Sequence, residues 1–523
     1  MSCLLAAPPV WSQQVMSGGP LKPVQANMDI RHYRLSLTVE PNRQWIEGDA
    51  EITMSLRSPA AEIMLDLVPA MQVRRVTLDG KNIPFDHQGE VLSVRGAEAF
   101  AAGPHRVNVW YSGAPPVAPR APWEGGFQWE KDSLGRPWVA ISCQTEGGKI
   151  YFPCKDHPSD EPDNGADLHI RVPKGLVVAG PGMLQSTRTR GGYTTYHWKT
   201  IYPISNYGIL FNVAHYRVVD RTYTTVSGKR MPMQFYVLDY HADKAPHQLE
   251  MLDRSARVQE KYFGEYPWPD EKIGIAETPH LGMEHQTMNA YGNKFRYTKV
   301  GGQDFDWLMH HEFGHEWWGN KVTNKDWAHM WIQEGICVFG DALYTRDMEG
   351  EEAYRARMRQ TARAARNEKL IVQGETVDAK QTYHPDIYGK AAFFMHTLRY
   401  IIGDSIFFPT LKALATDPRY TYLNMVTTAD VEAHFSAAYG QSLAPVFQLF
   451  LRTTDKLDVQ VKEVEEGQYL VKLPNAGMNL PIDIQTDRGI ERHVIPEDGL
   501  RISSITIPII DPIGFYLKKI TMQ

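Results

Sequence analysis

The chain has 523 residues, of which 43% are hydrophobic, 11% aromatic and 22% charged, and its formal net charge is -6. That length exceeds a single hydrophobic core, so roughly two to four domains are expected. The mild acidity and the lack of a basic run give no electrostatic basis for nucleic-acid binding, and no stretch reaches the roughly 20 apolar residues of a membrane span.

Residues 1–26 read as a leader. Leu4-Leu5-Ala6-Ala7-Pro8-Pro9-Val10-Trp11-Ser12 resembles the end of a secretory signal, but it lacks a basic start and a full apolar segment. The reading is a truncated export signal and a periplasmic or secreted location, with a disordered cytosolic leader as the alternative. From 27 to 215 the period is two: Tyr33, Leu35, Leu37 and Val39 alternate with polar residues, as do Ile52, Met54 and Leu56, and Leu168, Ile170 and Val172. This predicts an N-terminal β domain of sandwich type. The Pro-rich run from Gly113 to Pro122 interrupts it and reads as an excursion near a site rather than a domain linker. Cys3, Cys143, Cys154 and Cys337 are too few for a disulfide framework, and free thiols are expected.

After about residue 216 the pattern turns helical, and the span 216–452 is expected to be one catalytic domain of mostly helical type. Leu249, Leu252, Ala256 and Phe263 share a face that Gly264 ends, and further helices are predicted over 351–369, 388–402 (stopped by Gly403) and 429–439, the last capped by Thr428. From 453 to 523 the period returns to two, in Leu457, Val459 and Val461 and again in Tyr469, Val471 and Leu473, predicting a small β-sandwich module. The fold class is therefore multidomain α+β, with no internal repeat.

Within the helical domain stands His311-Glu312-Phe313-Gly314-His315, followed by Trp331-Ile332-Gln333-Glu334-Gly335. With 19 His in the chain, a His-Glu-x-x-His match is expected by chance only about 0.04 times. On a helix capped by Asp304 and stopped by Gly319, residues four apart share a face, so both imidazoles reach one Zn²⁺ while Glu312 leans over its open position. Glu334, on a second helix, supplies a third ligand, and three protein ligands with one free position make a catalytic zinc, one per chain. Asp341 lies about two turns beyond Glu334 on the same face and is the candidate acceptor for the second nitrogen of a ligand histidine. His310 points about 100° away from His311 and is a packing residue. A zinc with an open position activates water and polarises a carbonyl, the chemistry of amide hydrolysis, with Glu312 as general base. The motif alone leaves open whether cleavage is internal or terminal.

The block continues as Trp317-Trp318-Gly319-Asn320-x-Val322-Thr323, and together with Gln144-Thr145-Glu146, Phe152-Pro153-Cys154-x-Asp156-x-Pro158 and Tyr388-Gly389-Lys390-Ala391 it resembles the zinc aminopeptidase N family, which includes leukotriene hydrolase. The resemblance covers about residues 27 to 523 and implies the order β domain, thermolysin-like zinc domain, β module. It makes Tyr388 the phenol that stabilises the oxyanion, with Tyr383 its nearest rival. It makes Glu284, in Leu281-Gly282-Met283-Glu284-His285, the carboxylate that binds the substrate's free amine, Glu146 its partner, Gln144 a further contact, and Gly282 and Met283 parts of the substrate wall. Two carboxylates facing one ammonium select chain ends, because an interior peptide would leave both acids unpaired. The expected substrates are peptides with a free N-terminus. The chain departs from the family pattern at Leu281 (for Gly), His285 (for Asn) and Ala391 (for Gly), and it lacks the family's final helical domain, which would leave the site more open unless another subunit fills the space. Two readings compete with the aminopeptidase: a thermolysin-like endopeptidase, which Glu146 and Glu284 oppose, and a non-catalytic peptide-binding scaffold, which the full ligand set opposes. Lipid-epoxide hydrolysis is neither supported nor excluded.

Overall fold

The computed structural model describes residues 15–523. The signal-like residues 4–12 and Cys3 lie outside the described residues. Residues 15–26, read above with the leader, are built into the fold. The Ser17 N–H donates to the Thr145 carbonyl at 2.8 Å, Ser17 Oγ to Asp156 at 3.1 Å, and the Gly19 N–H to the Val377 carbonyl at 3.1 Å. Among the described residues Cys143, Cys154 and Cys337 are buried free thiols, and no helix is long and apolar enough to cross a membrane.

Alternation builds the first part of the chain. Met28–Glu40 and Trp45–Leu56 form an antiparallel hairpin at the centre of an eight-stranded sheet, flanked by Gly103–Gly113 and, in parallel, by Ala166–Pro173. Met28 and Ile30 point inward; a bulge between Ile30 and His32 then shifts the register, and Tyr33, Leu35, Leu37 and Val39 become the buried set. A four-stranded and a three-stranded sheet complete this region. In the former, Gly126–Lys131 pairs with Pro137–Ser142, and the chain runs from Ser142 directly into the buried Cys143, Gln144, Thr145 and Glu146.

The region after residue 215 is not purely helical. Tyr216–Thr224, Arg230–Leu238, Ile273–Glu277, Asn289–Tyr291 and Gly282–Met283 form, in that order, a five-stranded mixed sheet. All five residues of Ile273–Glu277 are buried, so this strand is covered on both faces and shows none of the alternation that marks half-buried strands. Gly282–Met283 is the outermost strand, paired on one side only, with Ala290 and Tyr291. Helix α1 (Ala245–Phe263) packs against the sheet and ends at Gly264.

Helix α2 (Trp307–Gly314) begins at Asp306, whose carboxylate accepts from the Met309 N–H, and not at Asp304. Gln303–Phe305 is held as a strand against Thr298–Val300, which keeps Asp304 extended and paired with Lys299 and His247. The helix also stops earlier than Gly319: His315 is its C-cap, still with helical dihedrals (φ -66°, ψ -14°), so the spacing of the two histidines along one face is preserved. Helices α3 (Trp331–Glu349), α4 (Glu351–Ala364) and α5 (Gly389–Ile402) follow, α4 ending short of the predicted 369. A Cβ on Gly335 of α3 would lie 2.4 Å from Ala391 Cβ of α5, so the two helices meet where both residues are small. Helix α6 (Asp404–Thr416) has Pro409 within it, a residue that argues against helix in sequence. Helix α7 (Thr428–Tyr439) is capped by Thr427, one residue before the expected Thr428, through a reciprocal capping box with Asp430. Helix α8 (Ala444–Leu451) leads to two small sheets of four and three strands that begin at Leu457.

Candidate metal centre and substrate cleft

The last turn of α2 presents His311 and Glu312, His315 follows at its C-cap, and Glu334 lies in the first turn of α3. The Nε2 atoms of His311 and His315 are 3.3 Å apart, and Glu334 Oε2 is 3.6 Å from the first and 3.4 Å from the second. Ligands held about 2.0–2.1 Å from a tetrahedral zinc lie roughly 3.3–3.4 Å from one another. The triangle has the size such an ion requires.

The outer nitrogens fix the tautomers. His311 Nδ1 is 3.2 Å from Asp341 Oδ2, and His315 Nδ1 is 2.9 Å from the Trp318 carbonyl. Both partners accept, so each neutral ring carries its proton on Nδ1 and turns a bare Nε2 inward. With both rings neutral, three lone-pair donors face one another, an arrangement that positive charge at their centre satisfies. The local field agrees. Burial opposes charge on both imidazoles, but Asp341 and Glu334 at His311, and Cys337 and Glu334 at His315, outweigh it and raise both pKa values. Burial would likewise raise Glu334, yet the two imidazoles draw it down to about 2.

A cavity of about 210 Å³ opens over this triangle, walled by Pro122, Trp123, Gln144, Leu281, Gly282 and Met283 and by both Tyr383 and Tyr388. Glu312 projects into it, and burial pushes its carboxyl upward against the pull of the two histidines. A Cβ on Gly282 would stand 2.4 Å from Glu312 Oε1 and 2.7 Å from Leu308 Cδ1, so a side chain at 282 would force Glu312 out of its present place.

Glu284 also lines the cavity. One of its oxygens, Oε1, accepts from Gln144 Nε2, from the Tyr207 hydroxyl at 2.9 Å and from Gln333 Nε2 at 2.7 Å, while Oε2 takes none of these bonds. One ligand atom each of Glu284, Glu312 and His315 lie within 4.8 Å of one another. Glu146 departs from expectation. It is not among the residues that line the cleft; one oxygen accepts from Thr145 Oγ1 at 2.8 Å and the other packs where a Cβ on Gly125 would be, at 2.1 Å. The strand that ends at Ser142 therefore delivers Gln144, and not Glu146, to the side of Glu284. Both phenols line the cavity. The Tyr383 hydroxyl stands 3.3 Å from Glu334 Oε1 and 3.3 Å from Gln144 Oε1, and the Tyr388 hydroxyl donates to it at 2.8 Å. Leu281 is part of the wall, whereas His285 is wholly buried behind it with neither ring nitrogen bonded. His310 is buried against Phe305 and Tyr344.

Tyr207, Gln333 and Cys337, whose Sγ lies 3.2 Å from His315 Nδ1, were not singled out in the sequence. Gln333 adjoins a ligand and Cys337 follows Glu334 by one helical turn, so both could have been found by position; Tyr207 carried no signal. Among the described residues one further group outside this cleft could hold an ion, Asp167, His169 and His197, half-buried on the eight-stranded sheet.

Comparisons with known proteins bear on the same segments. The Peptidase family M1 domain matches residues 247–450 and the Peptidase M1 N-terminal domain residues 30–207. Aminopeptidase N of Escherichia coli (strain K12) is 24% identical over 273 residues, 48% of this chain and 31% of that protein. Aminopeptidase B of Rattus norvegicus is 24% identical over 427 residues, 72% of this chain and 61% of that protein. The chain thus spans less than two thirds of the length of these relatives. Among solved structures, the M1 zinc metallopeptidase of Deinococcus radiodurans superposes with a TM-score of 0.69 at 22% identity, over 84% of this chain and 96% of that one. Aminopeptidase A of Legionella pneumophila does so with a TM-score of 0.76 at 17% identity, over 94% of this chain and 60% of that one.

Proposed function

This chain belongs to peptidase family M1, and we propose that it is a zinc aminopeptidase that hydrolyses the first peptide bond of peptides with a free N-terminus. His311, His315 and Glu334 would hold one zinc ion. When bound, the ion supplies Lewis acidity for the carbonyl and acidifies water.

The remaining work belongs to side chains and backbone of the cleft. Glu312 takes the proton of the attacking water and passes it to the leaving amine. Tyr383 and Tyr388 form a chain of hydroxyls beside Glu334, from which a phenol donates to the oxyanion that develops on the substrate. Asp341 and the Trp318 carbonyl keep the two histidines in orientation. The single-sided strand Gly282–Met283 offers backbone groups to an extended peptide.

One observation carries the exopeptidase assignment. Three donors occupy Oε1 of Glu284 and leave Oε2 for a ligand, and this carboxylate lies within 4.8 Å of the Glu312–His315 pair. The α-amine and the carbonyl carbon of one residue are separated by only about 2.5 Å. An ammonium anchored at Glu284 therefore leaves the first carbonyl, and no later one, beside Glu312. An internal peptide segment offers no charge to Glu284.

The test is a peptide and its N-acetylated twin. The free peptide is expected to release its first amino acid, and the acetylated one to remain intact. Internal cleavage of the acetylated peptide at a comparable rate would instead establish an endopeptidase.

A further inference from the structure

We propose that the groove beside the catalytic cleft is a subsite for the far end of a short peptide, in which Arg357 receives the C-terminal carboxylate. The inference rests on the aminopeptidase reading above. The groove has a volume of about 740 Å³ and is continuous with the cleft, since Trp123, Tyr383 and Tyr388 line both. Helix α4 forms its wall through Arg357, Gln360, Thr361 and Ala364.

The two spaces offer opposite charges to the two ends of a peptide, Glu284 in the cleft and arginine in the groove. The cleft contains Glu284, Glu312 and Glu334, whereas the groove is lined by Arg120 and Arg357 and by no carboxylate. A short peptide has the same polarity, an ammonium at one end and a carboxylate at the other. With the ammonium fixed at Glu284, the rest of the chain must leave through an adjoining space, and this one is complementary to its terminal charge.

The two arginines are not equivalent. Arg120 is already paired with Glu124 at 3.0 Å. On α4, Arg355 is engaged by Glu351 and Glu352, but the exposed Arg357 guanidinium has no ion pair or hydrogen bond among the described residues. Its planar fork of donors suits a carboxylate. Trp123, 52% exposed, stands where the cleft and groove join and offers an indole face to the peptide between its ends. The Pro-rich excursion, read in sequence as lying near a site, thus supplies Pro122 to the cleft and Arg120 to the groove, and Trp123, which follows it, lines both.

The experiment compares kcat/KM for neutral peptides of roughly three to five residues with kcat/KM for the same peptides as C-terminal amides. The wild-type protein is expected to favour the free acid about 5-fold at the best length and low ionic strength, with the preference shrinking in about 0.5 M salt. In Arg357→Gln the ratio is expected to fall to about one. Because acid and amide are compared within one preparation, partial loss of folded variant cancels. Equal use of acid and amide by the wild type, with both hydrolysed, overturns the subsite and leaves the aminopeptidase standing. A ratio unchanged by Arg357→Gln overturns the assignment to Arg357, and failure of the wild type to hydrolyse either form overturns both readings.

Discussion

Gly282→Ala isolates the position of Glu312 from its chemistry. A methyl group at 282 would stand 2.4 Å from Glu312 Oε1, and ordinary contact begins at 3.4 Å, so the carboxylate must retreat by 3.4 - 2.4 = 1.0 Å. The crowded atoms, Glu312 Oε1 and Cδ and Leu308 Cδ1, all belong to side-chain ends that can turn aside without moving backbone. The fold should therefore lose little, on the order of 1 kcal/mol or less. Catalysis should not be spared, because displacing a catalytic group by about 1 Å lowers turnover roughly 100-fold. The assay is kcat on a free peptide beside Tm and zinc content of the same preparation. A large drop in kcat with near-normal Tm and zinc is the expected result. Activity within twofold of wild type, with the alanine confirmed, would refute the idea that Glu312 acts from its place against Gly282.

The phenols can be ranked: if both belong to one hydroxyl chain, Tyr388→Phe and Tyr383→Phe should each lower kcat more than they raise KM, because they act on charge present only in the transition state. A variant that changes KM alone would be demoted to a wall residue. Gly335→Ala should press α3 against Ala391, 2.4 Å from the new Cβ, and displace the adjoining ligand Glu334; equilibrium dialysis should show weakened zinc affinity, and wild-type affinity would contradict the packing argument. Glu161 gives a pH test away from the metal. Burial is the main cause that raises its carboxyl to about 8, with Thr323 its only hydrogen-bond partner among the described residues. The folded chain then binds a proton that the unfolded chain has released, so stability falls as pH rises from about 4.5 to 8, by something on the order of 3–5 kcal/mol. Glu161→Gln should flatten that part of the Tm–pH profile and be the more stable protein at pH 8, and a profile parallel to wild type would count against it.

What could be read in the sequence follows a physical division. His311, Glu312, His315, Glu334 and Asp341 were accessible because helical spacing converts sequence distance into one face, and all five converge within two helices. The half-buried strands around Tyr33 and Ile52 were equally legible through their alternation. Ile273–Glu277 was not, since a strand buried on both faces has no period to detect. The α2 cap was misplaced by two residues because the Thr298–Val300 pairing that holds Asp304 extended is a tertiary fact. The donors to Glu284 come from positions 140, 77 and 49 residues away. No local pattern encodes such distances, and the same limit explains why Glu146 was placed beside Glu284 where the fold puts Gln144.

The account depends on one ion held between α2 and α3. Metal analysis of the purified protein and of Glu334→Ala addresses it directly. About one zinc per chain is expected in the wild type and a small fraction of that in the variant, since two imidazoles alone make an incomplete site. Zinc-free wild type after growth with added zinc, or a full equivalent retained without Glu334, would contradict it.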